Sequence, residues 1–96
     1  MNEFFSLLAK RWSEAANRRG ARIDDPTLDS EVANEILELA RVVAHTRERR
    51  FAPLATFTAG VATERLRGSK GALDPDAVAA YVREVREALE REAPAP

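Results

Sequence analysis

No cysteine occurs among the 96 residues, which excludes a disulfide scaffold and every metal or nucleophile site built on thiolate. One histidine, His45, is present; without cysteine partners it does not make a usual zinc ligand set, and no metal or cofactor is expected. No apolar run approaches the ~18 residues that a membrane span requires. The opening Met1-Asn2-Glu3-Phe4-Phe5 lacks the basic-then-apolar order of a secretory signal, so a cytoplasmic chain with no membrane partner is expected. Neither sign of charge dominates: 15 basic and 16 acidic residues leave a formal charge of −1, and no global field draws the chain to nucleic acid or anionic lipid. Repeats of fixed period are missing, and so is the period-two alternation of a strand.

What remains is helical. Set apart from its 18 alanines, the chain has 25 larger apolar residues, enough for one small core. In the first helix Phe4, Phe5, Leu8, Ala9, Trp12, Ala15 and Ala16 share one arc, with Leu7 outside it. Asn2 is the expected N-cap, and Arg18-Arg19-Gly20 closes the segment with cations and a glycine stop. Residues 20–29 read as a turn-rich connection with Ile23 and Leu28 pinned on the core. The second helix is capped by Asp25 (with Pro26 following), Asp29 or Ser30, and its seam is Val32, Ala33, Ile36, Leu37, Leu39, Ala40, Val43 and Ala44.

Pro53 suits the first position of a third helix. That helix has the widest apolar arc, about 200° against the ~100° stripe of an ordinary surface helix. Leu54, Phe57, Thr58 and Val61 lie on one side, and Ala55, Ala59, Ala62 and Leu66 on the other. It is expected to be the central, most buried helix, meeting the second through their alanines. Gly68-Ser69-Lys70-Gly71 should break the chain, and Asp74-Pro75 restart it as N-cap and first helical position. The fourth helix carries Val78, Tyr81, Val82, Val85, Ala88 and Leu89 on one stripe. The expected fold is all-α, a compact four-helix bundle or orthogonal four-helix array: one domain over residues 1–92 and a flexible tail over 93–96.

Little of this carries chemistry, and no catalytic residue is expected. His45 sits with Asn34 and Glu38, away from the apolar arc, as a polar residue near a helix C-terminus. Trp12, Phe4, Phe5 and Phe57 read as core, while Phe51 lies in a polar loop as an exposed contact. The most informative stretch is basic: Arg41, Arg47, Arg49 and Arg50 against Glu48 give residues 41–50 a local charge of +3. It runs into a helix N-terminus, whose unpaired N–H groups favour anions, and Thr56 adds a hydroxyl. Arg41, His45, Arg47, Arg49, Arg50 and Thr56 are therefore the candidate contacts for a ligand or partner. Their alternative is a solvated corner whose arginines pair with acids such as Asp24, Asp25 and Asp29. The functional expectation depends on the third helix being covered by its neighbours, leaving the arginine corner as the working surface.

Residues 39–60, Leu39-Ala40-Arg41-Val42-Val43-Ala44-His45 through Ala52-Pro53-Leu54-Ala55-Thr56-Phe57 to Gly60, resemble a family of small actinobacterial helical proteins of unknown function. Members stand alone or are appended to a molybdenum cofactor guanylyltransferase. The matched positions are Ala44, His45, Arg49, Ala52, Pro53, Leu54, Thr56, Phe57 and Gly60; Phe51 stands where family turns often have proline. The resemblance implies a non-enzymatic accessory or docking domain linked to molybdopterin-guanine dinucleotide biosynthesis, with such a guanylyltransferase as partner. Two other classes are expected to be distinguishable from it. One is a DNA-binding helical domain that reads with the third helix; the other is a self-associating scaffold, a homodimer seamed by Leu7 and Val42, which lie off the main arcs.

Overall fold

In the computed structural model, which describes residues 3–93, the chain is all-α. Its helices are α1 (Glu3–Arg18), α2 (Ser30–Thr46), α3 (Phe51–Lys70) and α4 (Pro75–Arg91), with no strand among the described residues. The expected cap Asn2 and residues 94–96 of the expected tail lie outside the described residues. By its contacts the chain divides into two compact units between Ser30 and Glu31.

The first unit is α1 with the segment that follows it. Arg18-Arg19-Gly20 ends the helix as its residue types require. Gly20 takes φ +79°, its N–H donates to Asn17, and the Arg19 guanidinium donates to the Ala15 carbonyl at 3.0 Å, satisfying groups that a helix end leaves open. The connection is tied back onto the helix by the Ser13 hydroxyl, which donates to Asp25 at 2.6 Å. A shallow groove runs between Phe5, Leu8 and Trp12 on α1 and Pro26 and Leu28 beyond it. Ile23 and Leu28 are not pinned on a core; both are exposed, as are Phe4 and Trp12. Of the aromatic residues spaced for one face of α1, Phe4 and Trp12 are exposed and Phe5 is half-buried.

The second unit is built on α2 and α4. Helix α2 has Ser30 as its first residue, directly after Asp29, one of the three expected caps. Asp74 caps α4, its carboxylate accepting from the Ala77 N–H at 2.8 Å with Pro75 at the helix start. Buried residues come from α2 (Ala33, Leu39, Val42, Val43) and α4 (Val78, Ala79, Val82). The core cluster is Leu39, Val43 and Val82, with Ile36, Ala55, Ala59 and Leu89 packed against it.

Helix α3 overturns the expectation placed on it. Thr63 is its only buried residue among those described, whereas Leu54 is 64% and Phe57 74% exposed. A 200° arc is wider than the neighbours can cover. The alanine side admits close approach and joins the core through Ala55 and Ala59, which turns the bulky side outward. Val42 moves the other way: it is 3% exposed, so it is a core residue and no dimer seam, while Leu37, expected in the seam of α2, is 67% exposed. Helix α3 also passes through Gly68 and stops at Gly71, which takes φ +93° and donates its N–H to the Arg67 carbonyl. It begins two residues before Pro53, which therefore sits third in the helix, where an N–H still lacks an intrahelical acceptor.

Candidate functional site

The arginine corner is the turn between α2 and α3. Helix α2 is finished off locally: the Thr46 hydroxyl donates to the Val42 carbonyl at 2.7 Å and the Arg47 N–H to Val43 at 2.9 Å. The chain then folds tightly enough for the Phe51 N–H to reach the Glu48 carbonyl and the Ala52 N–H that of Arg49.

These bonds settle how the N-terminus of α3 can act. Phe51 and Ala52 have spent their N–H groups within the turn, and Pro53 has none. Arg50 occupies the N-cap position without a side-chain cap. An anion at this corner would therefore be held by side-chain cations rather than by a cradle of backbone N–H groups.

The six candidate residues divide accordingly. Arg41 is engaged on α2, where its Nε and Nη2 donate to Glu38 at 3.0 and 2.8 Å. Arg50 pairs with Glu48 at 3.2 Å, and its guanidinium carbon lies 5.9 Å from the Phe51 ring centroid, within cation–π range. The Thr56 hydroxyl donates to the Pro53 carbonyl at 3.0 Å, leaving only its lone pairs for anything else. His45, Arg47 and Arg49 are exposed, and none has an ion pair or side-chain hydrogen bond among the described residues of the second unit. The turn thus gathers His45, Arg47, Arg49 and Arg50 within six residues of chain, two arginines among them without an ion pair among the described residues of their unit, while Arg41 and Thr56 are engaged on their own helices.

A second cluster was not anticipated. Glu35 on α2 accepts from Arg83 at 2.7 Å and Arg86 at 3.3 Å on α4, and Arg86 also donates to Glu90 at 2.7 Å. The Glu35 and Arg86 side chains are only 13% and 16% exposed. The Arg83 hydrogen bond lowers the Glu35 pKa, burial opposes that, and the charges of Arg83 and Arg86 lower it further; the net direction is down. Partial burial disfavours the Arg86 charge, but the Glu90 hydrogen bond and the Glu35 charge outweigh it, so its pKa is raised. The sequence held one sign of this: Glu35 falls in line with Leu39 and Val42 at helical spacing, and a carboxylate on a buried stripe requires a cation. The arrangement is a clamp between two helices, with both its acids already paired.

Alongside α3 and α4 runs an apolar cleft of about 160 Å³, floored by Ala59 and Ala62 and walled by Tyr81, Val85 and Leu89. It continues outward past Phe57, Val61 and Arg65. Among the described residues no group of three or more His, Cys, Asp or Glu side chains is placed to hold a metal ion, and no helix is long and apolar enough to cross a membrane.

A family model for a domain of unknown function, DUF6457, matches residues 7–96, and the chain belongs to that family. No curated protein and no solved structure matches it.

Proposed function

We propose that this DUF6457 chain is a non-enzymatic accessory domain that docks an acidic surface of a partner protein on its arginine corner. The condition first set for this corner, a third helix covered by its neighbours, fails with the exposure of Leu54 and Phe57; what carries the reading instead is the pair Arg47 and Arg49, exposed and without a counter-ion among the described residues of their unit, beside an Arg50 laid on Phe51. Arginine forks suit carboxylate and phosphate. His45 fits a recognition role better than acid–base catalysis, since no neighbouring group orients its ring. For DNA the outward face of α3 is poorly equipped: Leu54, Phe57 and Val61 offer no donor or acceptor to base edges.

The partner class comes from the resemblance of residues 39–60: a molybdenum cofactor guanylyltransferase or a related enzyme of molybdopterin-guanine dinucleotide assembly. Isothermal titration of the folded chain with that enzyme, with GTP and with the pterin cofactor tests it. Expected is binding to the enzyme that weakens with salt and falls at least ~10-fold in Arg47→Glu/Arg49→Glu. Heat from none of the three, with the fold verified by circular dichroism, refutes the reading. Heat from GTP or pterin alone would make the corner a small-anion site instead.

A further inference from the structure

We propose that Glu48 guards the arginine corner: in the free chain it occupies Arg50 in place of a partner's carboxylate, and an acidic segment docks by displacing it. This rests on the docking reading above and adds the contact that regulates it. The stretch Arg47-Glu48-Arg49-Arg50 sets one acid among three cations. The acid is committed to Arg50, whose Nε lies 3.2 Å from Glu48 Oε1. Arg47 and Arg49 have no ion pair among the described residues of their unit.

The turn does not depend on that carboxylate. It is held through main-chain groups, the Glu48 carbonyl accepting from the Phe51 N–H at 3.0 Å and the Arg49 carbonyl from the Ala52 N–H at 3.2 Å. The Glu48 side chain is therefore free to swing away while the backbone stays in place.

The contact is also weak enough to yield. The Arg50 and Glu48 side chains are 80% and 50% exposed. Such a pair favours its closed form by about 5-fold at most, the ~1 kcal/mol ceiling of a surface salt bridge. Arg41, by contrast, gives Glu38 two donors, at 3.0 and 2.8 Å. When Glu48 leaves, Arg50 keeps a support, because its guanidinium carbon lies 5.9 Å from the Phe51 ring centroid and the ring face attracts the cation.

Selectivity follows from this competition. Glu48 is tethered beside Arg50, so a lone carboxylate exchanges one contact for an equivalent one and gains little. A segment that also carries carboxylates to Arg47 and Arg49 gains contacts that Glu48 does not supply. The occupant is accordingly a protein segment with several acidic side chains close together.

Glu48→Gln keeps the side chain's shape and the turn's carbonyl and removes only the charge. Two readouts test it: the Arg50 Nε–H resonance in nitrogen–proton NMR, and the anisotropy of fluorescein-labelled octaglutamate at about 50 mM salt. Expected is a shift of that resonance on Glu48→Gln without peptide, and octaglutamate binding about 2- to 5-fold tighter. Combined with Arg50→Gln, the same substitution gains less than half as much. An unmoved resonance, or an equal gain with and without Arg50, overturns the guard, since Glu48 would then act through net charge alone. Binding that is lost in Arg47→Glu/Arg49→Glu but indifferent to Glu48→Gln leaves the docking site standing without its guard. Binding indifferent to Arg47→Glu/Arg49→Glu removes the docking site and the guard together. If a variant fails to fold, the wild-type Arg50 resonance decides by itself: it shifts as octaglutamate is added, or the displacement does not occur.

Discussion

Replacing Glu35 with alanine probes a place where charge holds two helices together. The carboxylate links Arg83 and Arg86 across α2 and α4. Its removal strands Arg86, 16% exposed, with Glu90 as its remaining partner. Breaking a fully buried pair costs ~3–5 kcal/mol, and an exposed pair contributes ~0–1 kcal/mol. With Arg83 45% and Glu90 43% exposed, water reaches half the cluster, so a loss of about 2 kcal/mol is expected, between those limits. For a chain of this size that lowers Tm by roughly 8–16 °C.

Urea unfolding of wild type, Glu35→Ala, Glu35→Gln and the double variant with Arg83→Ala measures the loss and the coupling. The pH dependence has a fixed sign. Glu35 titrates below its ordinary value when folded, so its contribution is fully present above the unfolded pKa and disappears as pH falls through the lowered folded one. The gap between wild type and Glu35→Gln should be level near pH 7 and close below about pH 4. A Glu35→Ala protein within ~0.5 kcal/mol of wild type, the range of an inconsequential surface change, would refute the clamp.

The remaining expectations use the same unfolding assay. Asp74→Ala removes the cap on the Ala77 N–H and should cost ~1 kcal/mol. Gly68→Ala should stabilise by ~0.4–1 kcal/mol, since Gly68 is inside α3 and an added Cβ meets nothing within 4 Å. Gly71→Ala, equally free of neighbours but held at φ +93°, should instead destabilise by ~1–3 kcal/mol. Phe57→Ala should cost less than ~0.5 kcal/mol, whereas Val42→Glu should abolish cooperative unfolding by placing an unpaired charge at a position 3% exposed.

The end of α1 and the start of α4 were legible because their causes are local. Asp74-Pro75 starts a helix, and Arg18-Arg19-Gly20 ends one, through bonds reaching no farther than a turn or so. The arginine corner was legible for the same reason: four cations and His45 within ten residues remain near one another whatever the rest does. By themselves the residues therefore determined four amphipathic helices and a basic turn between the second and third. They left open which half of an over-wide arc would be covered. That was decided when α2 and α4 closed on the alanine side of α3, because small side chains permit close approach, and Leu54 and Phe57 were left facing out. Tertiary packing also sank Val42, aligned Glu35 with two arginines some fifty residues away, and spent the first N–H groups of α3 on the preceding turn. Burial and ion pairing between distant segments depend on inter-helix spacing, a quantity that no single helical period contains.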